Sequence, residues 1–412
     1  MATQTIVRTV GSTGHFSTPQ LWEDGAPANL VTAEKSSAGT FAVDSFSQGE
    51  TITFVGSGAT GKFLDTDSTG PGTGTYIIYG LVTGNVAASD VATGGTSGAT
   101  CIVSSGTPTD TGVIWQGQQQ NQEFSGTGVQ LDIAGSSTNA SNYKEYTTVA
   151  GASFRDHASV QSNALKYDAS LGAAIRGTSN NTATVSNNEG STRFSKLQVT
   201  GTGTGGRGYL DSVANTAVIV EFVICEGTYV ANSTTLGVFG TVGKAKNCLV
   251  IQRASGADHI ISTGTQSPSY YNCTIVASDD LATSPVSIFL SGASGTVTVQ
   301  NCGMFAGGDK PTAAGSATFN FTTCYGDDST PASGITTATY ANQFQNVNDA
   351  TRDFRLVTGA DMKDTGTTDS TNAATDIAGT ARPSGSAYDV GCWEFVAAGS
   401  ATYPGADGCG AW

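Results

Sequence analysis

The sequence is poor in charge. Lys, Arg, Asp and Glu make up 12% of its 412 residues, about half the usual share of a soluble domain. Positive charge is scarcer still, with 18 Lys and Arg against 33 Asp and Glu and a formal net charge of −15. A nucleic-acid backbone is bound by clustered Lys and Arg, so nucleic acid is excluded as a partner. No run approaches the ~18–20 apolar residues that a membrane helix needs, so no membrane partner is expected. The opening "MATQTIVRTV" has no basic segment followed by an apolar one, and no export signal is expected. There are three histidines (His15, His157, His259), and none of the eight cysteines forms C-x-x-C, so a structural zinc site has no support. Eight cysteines are also too few for a disulfide-built scaffold, and buried thiols are expected. Long amphipathic helical patterns are almost missing. Asp-Gly hairpin signals lie near the chain ends, in "EDGAP" and "ADGCG".

What is present is a long succession of short apolar runs separated by polar, Gly-rich turns. From about residue 113 these include "AVIVEFVICEG", "NCLVIQR", "NCTIVAS" and "TVTVQNCGMF". Their alternation is mostly period two, which predicts strands. Asn-Cys opens a run at 247–248, 272–273 and 301–302. Matching starts line up at Ser195, Glu221, Asn247, Asn272, Asn301 and Thr323, with gaps of 26, 26, 25, 29 and 22 residues. A period of this size holding two or three short strands is one rung of a parallel β-solenoid. Stacked rungs place like residues above like, at about 4.8 Å spacing. Cys248, Cys273, Cys302 and Cys324 are then expected to form a column of thiols without disulfides. Asn247, Asn272 and Asn301 are expected at bends, where Asn tolerates positive φ and its amide pairs with the Asn above. An antiparallel sandwich would require the hairpin signals that are scarce here.

Near the N-terminus, "HFSTPQLWEDG" predicts one short helix. Ser17 or Thr18 would cap it, Pro19 would open it, Gly25 would end it, and Leu21 and Trp22 would face a core. This helix would plug the first rung, and the C-terminal segment would cover the last, since an open solenoid end is an edge that invites association. Residues 38–112 differ in character. "FSQGETITFVGSGAT" (46–60) aligns with "VAASDVATGGTSGAT" (86–100) at an offset of 40, and Ser-Gly-Ala-Thr ends both. This reads either as a small β insert of two related units or as shared Gly/Ser/Thr bias. The expected organisation is a cap and first rung over 1–37, the insert over 38–112, a right-handed parallel β-helix over 113–348 and a closing segment over 349–412.

The segment 353–395 resembles the closing segment of right-handed parallel β-helix proteins of the pectin-lyase-like class. The matching pieces are "DFRL" (353–356), "KDTGT" (363–367), "DIAG" (376–379), "ARPSG" (381–385) and "DVGCWE" (389–394). It departs at Cys392-Trp393 and at Ala360-Asp361-Met362-Lys363. "STPQLWEDGAPANLV" and "YKEYTTVAGASFRDHASVQSNALKY" (143–167) resemble β-helix proteins encoded in tailed-phage genomes, and the insert resembles small β modules of phage virion proteins. This implies an all-β fold, and it leaves the role open, because such solenoids carry lyases, hydrolases, adhesins and structural parts.

Cleavage of a polysaccharide calls for two carboxylates about 5–9.5 Å apart. Glu221 with Glu226, Asp279 with Asp280, and Asp327 with Asp328 are the acid pairs to weigh. The two adjacent Asp pairs read as solvated turns, and Glu221 reads as a bend residue. Arg155-Asp156-His157 is the best polar cluster, with His157 a formal general base. It lies on a short connector with Arg155 and Asp156 facing different sides. No dense Asp cluster flanks Arg176, Arg193 or Arg253, as a calcium-dependent lyase would need. "GTGTGGRG" (201–208) is Gly-rich but is followed by no helical pattern, so it reads as a turn. No catalytic, cofactor-binding or metal-binding residue is therefore assigned, and the chain is read as a non-enzyme.

The expected role is a structural virion protein on the outer surface of a tailed-phage head, a decoration or cement protein. Its partners would be the major capsid protein and itself, as a homotrimer. The alternative is a tail spike or fibre that binds or cleaves host surface glycans, with Tyr270, Tyr271, Phe289, Phe305 and Tyr325 as sugar-stacking aromatics. A spike would also carry a particle-binding head before the solenoid. A bacterial adhesin is a third reading, disfavoured by the start of the chain.

Overall fold

The computed structural model describes all residues except 1–3, 27–29, 31–33, 44–45, 48, 67–75, 105–108, 112, 157–162, 212–216, 229–238, 241–242, 254–258, 263–266, 278–286, 291–294, 306–317, 329–331, 349–350 and 398–412. Two compact units divide the chain. One holds residues 9–23, 117–134 and 146–412, and the other holds 1–8, 24–116 and 135–145.

The larger unit is a parallel β-helix with three faces. The second face is a sheet of nine strands in chain order: Glu123–Gly126, Ala174–Gly177, Gln198–Gly201, Ile224–Gly227, Leu249–Gln252, Thr274–Ala277, Gly303–Phe305, Cys324–Gly326 and Ile335–Thr337. Every pairing within it is parallel and in register. The first face stacks Thr192–Ser195, Ile219–Glu221, Lys244–Lys246, Ser269–Tyr271, Thr296–Gln300 and Thr318–Thr322. Gln4–Val10, Val113–Gln119 and Lys144–Thr148 head that sheet, and the unit boundary falls within each. The third face stacks six strands, from Leu131–Ile133 to Ser287–Leu290. The all-β parallel solenoid read from the repeat is thus the observed fold.

The corner between the first and second faces explains the Asn-Cys pairs. Lys196, Phe222, Asn247, Asn272, Asn301 and Thr323 all have φ between 49° and 63°. Asn is the side chain best suited to that region. The alignment from sequence is one residue out in its first two rungs. Ser195 and Glu221 pair in register with Lys246, Tyr271, Gln300 and Thr322, so Lys196 and Phe222 are the true partners of the asparagines. Lys and Phe carry no left-handed preference, which hid the register. The next position in each rung is Leu197, Val223, Cys248, Cys273, Cys302 or Cys324, and all six are buried. Each of the four thiols donates to the backbone carbonyl two residues earlier, at 3.3–3.4 Å. All are free, as are the buried Cys101, Cys225 and Cys392.

The asparagine ladder is looser than expected. Asn301 Nδ2 lies 3.5 Å from Asn272 Oδ1, and neither amide atom of Asn247 has a hydrogen-bond partner among the described residues. Asn301 instead grips the closing segment, donating to Thr367 O at 2.7 Å and accepting from Thr367 N at 2.9 Å.

The short helix runs over Pro19–Asp24. Thr18 Oγ1 accepts from Leu21 N at 3.2 Å, which is its cap. Trp22 is fully buried against Tyr146, with ring centroids 5.0 Å apart. Leu21, expected in a core, is 48% exposed. Successive residues point about 100° apart on a helix, and the buried side here is that of Pro19, Trp22 and Glu23. Gly117 makes room for the indole, since a Cβ there would stand 2.7 Å from Trp22 and 2.8 Å from Tyr146.

The closing segment differs most from expectation. It does not lie over the last rung alone but along the outer side of the second face. Ile224, Leu249, Ile251, Val276 and Phe305 pack outward against Phe154 and Leu165 of the connector and against Phe344, Phe354, Leu356, Met362, Ile377, Val390 and Trp393. The second face is therefore buried on both sides, and its strands read as continuous apolar runs instead of alternating ones. Each of these large side chains contributes about 1.5–3 kcal/mol by leaving water.

The smaller unit contains a closed antiparallel barrel. Its strands run in the order Tyr76–Thr83, Thr60–Thr66, Thr51–Val55, Val91–Gly94, Thr100–Val103 and Glu34–Val43, and the last pairs back with the first. The two Ser-Gly-Ala-Thr segments occupy matching hairpin turns. Asp90 accepts from Ser57 N and Oγ at 2.9 and 2.5 Å, while Glu50 accepts from Ser97 N and Oγ at 2.9 and 2.6 Å. Glu50 and Asp90 are themselves 40 residues apart, so each half caps the turn of the other. Burial opposes ionisation of both acids, and the hydrogen bonds from the turns outweigh it and hold both below the usual carboxylate range.

Candidate functional site

The densest set of ionisable groups lies on the outer side of the second face, where the parallel register stacks side chains from successive rungs. Ser125, Arg176, Thr200, Glu226 and Ile251 form one outward column. Glu226 is 3% exposed and is clamped by Arg352 at 2.7 Å and Arg253 at 3.1 Å. Two rungs earlier, Arg176 pairs with Glu123, and Tyr167 Oη donates to Glu123 Oε1 at 2.8 Å. Burial, and then the bond to Glu123, hold the Tyr167 hydroxyl protonated far above its ordinary range. The bond to Glu123 raises Arg176 further.

These residues carry out structural work. An unpaired buried carboxylate is costly, and two guanidinium groups on Glu226 remove that cost. Arg352 belongs to the start of the closing segment, so the pair also fastens that segment to the rung. Arg155 does the same from the connector. Its guanidinium sits 3.7 Å over the Phe222 ring and donates to Thr375 Oγ1 and Asp376 O, each at 3.2 Å. Burial lowers its pKa against the attraction of Asp376. Asp156, the next residue, turns away and accepts from Gly151 N and Ser153 N. The opposite facing of Arg155 and Asp156 is as expected, and His157 lies outside the described residues.

A second cluster closes the chain. Asp376, Asp389 and Glu394 are buried around Arg382, which donates to Glu394 at 3.2 Å and to the carbonyls of Asp389 and Gly391 at 2.7 Å. The carboxylates take up backbone N–H groups from Ala378, Thr380, Glu394, Asp364, Phe395, Ser384 and Asp389. Burial pushes Glu394 up to about 7 against the pull of Arg382, and raises Asp376 and Asp389 as well.

Of the acid pairs weighed from sequence, Glu221 and Glu226 do not converge. Glu221 is half-exposed on the first face, whereas Glu226 is buried on the second. Asp279 and Asp280 lie outside the described residues. Asp327 is half-buried, and Asp328 is buried beside Thr337, whose hydroxyl donates to its carbonyl at 2.8 Å. Of the proposed sugar-stacking aromatics, Tyr270 and Phe305 are core residues, and Tyr325 packs on the core. Tyr271 is half-exposed, and the Phe289 side chain lies outside the description. The Gly-rich 201–208 stretch is a tight turn against the previous rung. A Cβ at Gly203 would stand 2.4 Å from Ser179 O, and Asn181 N donates to Thr204 O at 3.0 Å. Among the described residues, no group of three or more His, Cys, Asp or Glu side chains is placed to hold a metal ion.

Sequence reading missed the Glu226–Arg352 and Glu123–Arg176–Tyr167 links. Their partners lie 126, 53 and 44 residues apart, and no local spacing marks them.

No family model matches the chain, and no curated protein matches it. Among solved structures it is similar to pectate lyase Pel9A, at 11% identity and a TM-score of 0.37, over 69% of this chain and 88% of that one. The parallel β-helix rests on the strand pairing of the chain itself.

Proposed function

We propose that the protein is a structural virion protein of a tailed phage, a decoration protein bound to the outside of the head, and not an enzyme. The observation that carries this reading is the state of the second face. Its outer side is covered by the chain's own connector and closing segment, and Glu123 and Glu226 on it are taken up in ion pairs. A sheet used in this way is a stiffened scaffold. The resemblance of 143–167 and of the insert to phage virion proteins supports the same reading. The major capsid protein is the proposed partner.

Antibody labelling of intact particles, viewed by electron microscopy, tests it. Label spread over the head is the expected result. Label confined to the tail tip would replace decoration by receptor binding. Release of reducing ends from host polysaccharide, abolished by Glu221→Ala, would overturn the non-enzyme reading.

A further inference from the structure

Charge is segregated across the faces of the β-helix unit. On the second face and its cover, Arg155, Arg176, Arg253, Arg352 and Arg382 each bind an acid, a carbonyl or an aromatic ring of the fold. The outer side of the first face is different. Arg193, Ile219, Lys244, Ser269, Thr298 and Asn320 form one outward column, and Ser195, Glu221, Lys246, Tyr271, Gln300 and Thr322 form the other. Lys196 stands exposed at the adjoining corner. Among the described residues of the strands from Thr192–Ser195 to Thr318–Thr322 and their corner, Arg193, Lys196, Lys244 and Lys246 meet one acid, Glu221. Lys196, Lys244 and Lys246 make no ion pair with any described residue, so the fold does not account for their charge.

The complement of this strip lies on the layer that covers the second face. Asp156 and Asp361 are exposed, and Asp168 and Asp369 are partly exposed. All four accept hydrogen bonds from neutral groups, and none pairs with a cation among the described residues. The connector that carries Asp156 meets the corner at Lys196, where Ser153 Oγ donates to Lys196 O at 2.9 Å, whereas Lys244 and Lys246 lie on the first face and Asp361 in the layer over the second.

We infer that the first face docks a second copy of this chain, with Lys196, Lys244 and Lys246 of one copy meeting the acidic covering layer of the next. Tyr271 and Gln300 lie beside these cations and supply half-exposed, uncharged contact surface. Such a contact joins two different patches. It closes into a ring when the rotation between copies permits, and a threefold ring is the smallest beyond a pair. Complementary charge fixes the register of such a contact and makes it sensitive to salt.

The test is sedimentation equilibrium of the full chain at roughly 0.05 M and roughly 1 M salt, between which the Debye length falls to about 3 Å. Association at low salt that weakens roughly a hundredfold at high salt is expected, as for screened charge pairs. The variant Lys244→Glu/Lys246→Glu is expected to be monomeric at low salt with an unchanged circular dichroism spectrum. Asp156→Lys/Asp361→Lys is expected to behave the same way, and the chain carrying all four substitutions is expected to associate again. That recovery separates a broken contact from a broken fold. A monomeric wild-type chain at low salt would overturn the inference. So would association indifferent to the Lys244 and Lys246 substitutions. A monomer that instead binds polygalacturonate through those lysines would overturn it too and make the face a polyanion site. None of these outcomes depends on whether the head is the protein's partner.

Discussion

At the residue scale, the corner shows how identical residues do different work. Asn301 holds its positive φ and also grips Thr367, whereas Asn247 holds the same φ with a buried amide unpartnered among the described residues. Glycine adopts that φ without strain but brings no amide. Asn301→Gly is therefore expected to cost about 1–3 kcal/mol, since two hydrogen bonds of about 0.5–1.5 kcal/mol each are lost. Asn247→Gly should change stability by less than about 1 kcal/mol, and urea unfolding of both variants measures the difference. The thiols give a second prediction. Burial pushes Cys324 up to about 11, Cys392 up to about 12, and Cys248 and Cys273 well above their ordinary value. Since the thiolate is the reactive form and all seven described cysteines are buried away from reagent, an aromatic disulfide near neutral pH should leave them unmodified until the chain unfolds.

At the scale of elements, the closing segment is fastened by charge as well as by apolar contact. Arg352→Met leaves Glu226 with Arg253 alone, so it is expected to cost less than the about 3–5 kcal/mol of a buried charge left with no partner. Glu226→Leu combined with Arg352→Met should recover much of that loss, which chemical denaturation can follow. The acid cluster adds a pH dependence. Glu394 is raised from its ordinary value near 4.5 to about 7, so between these values the folded chain holds a proton that the unfolded chain has released. The stabilisation is full below pH 4.5 and is lost as pH rises towards 7, the opposite of the usual acid denaturation. Asp376 and Asp389 are raised and act in the same direction. The urea midpoint should rise on going from pH 7 to pH 5.5, and Glu394→Gln should flatten that rise.

At the scale of the whole molecule, the barrel has its own hydrophobic cluster, including Phe41, Ile52, Phe54, Phe63, Ile77 and Tyr79. Glu34 pairs with Thr111, so the two ends of the barrel segment leave side by side. A fragment over 34–111 is expected to fold alone with a cooperative thermal transition, and a spectrum lacking amide dispersion by NMR would refute this. The solenoid interior makes the opposite demand. Gly117→Ala forces a methyl group against Trp22 and Tyr146, and overpacking of this kind costs about 1–3 kcal/mol. The loss should appear in the unfolding of the β-helix unit and leave the barrel transition in place.

The sequence by itself determined the rung. Period-two alternation, a repeat of twenty-odd residues and Asn at three of the six bends are local constraints, because each strand and each left-handed corner is chosen within a few residues. The short helix was legible for the same reason, through Thr18, Pro19 and Trp22. Tertiary structure decided what lies outside the rung. Glu226 meets Arg352 across 126 residues of chain, and Val276 and Phe305 turn outward under the closing segment instead of inward. In strands such as Leu249–Gln252 and Thr274–Ala277, buried on both sides, apolar residues follow one another on both faces, so the pattern carries no record of which side faces which cover. The exposed first face keeps its alternation, and its free lysines were visible as residues. They became a surface only once parallel stacking had placed them on neighbouring rungs.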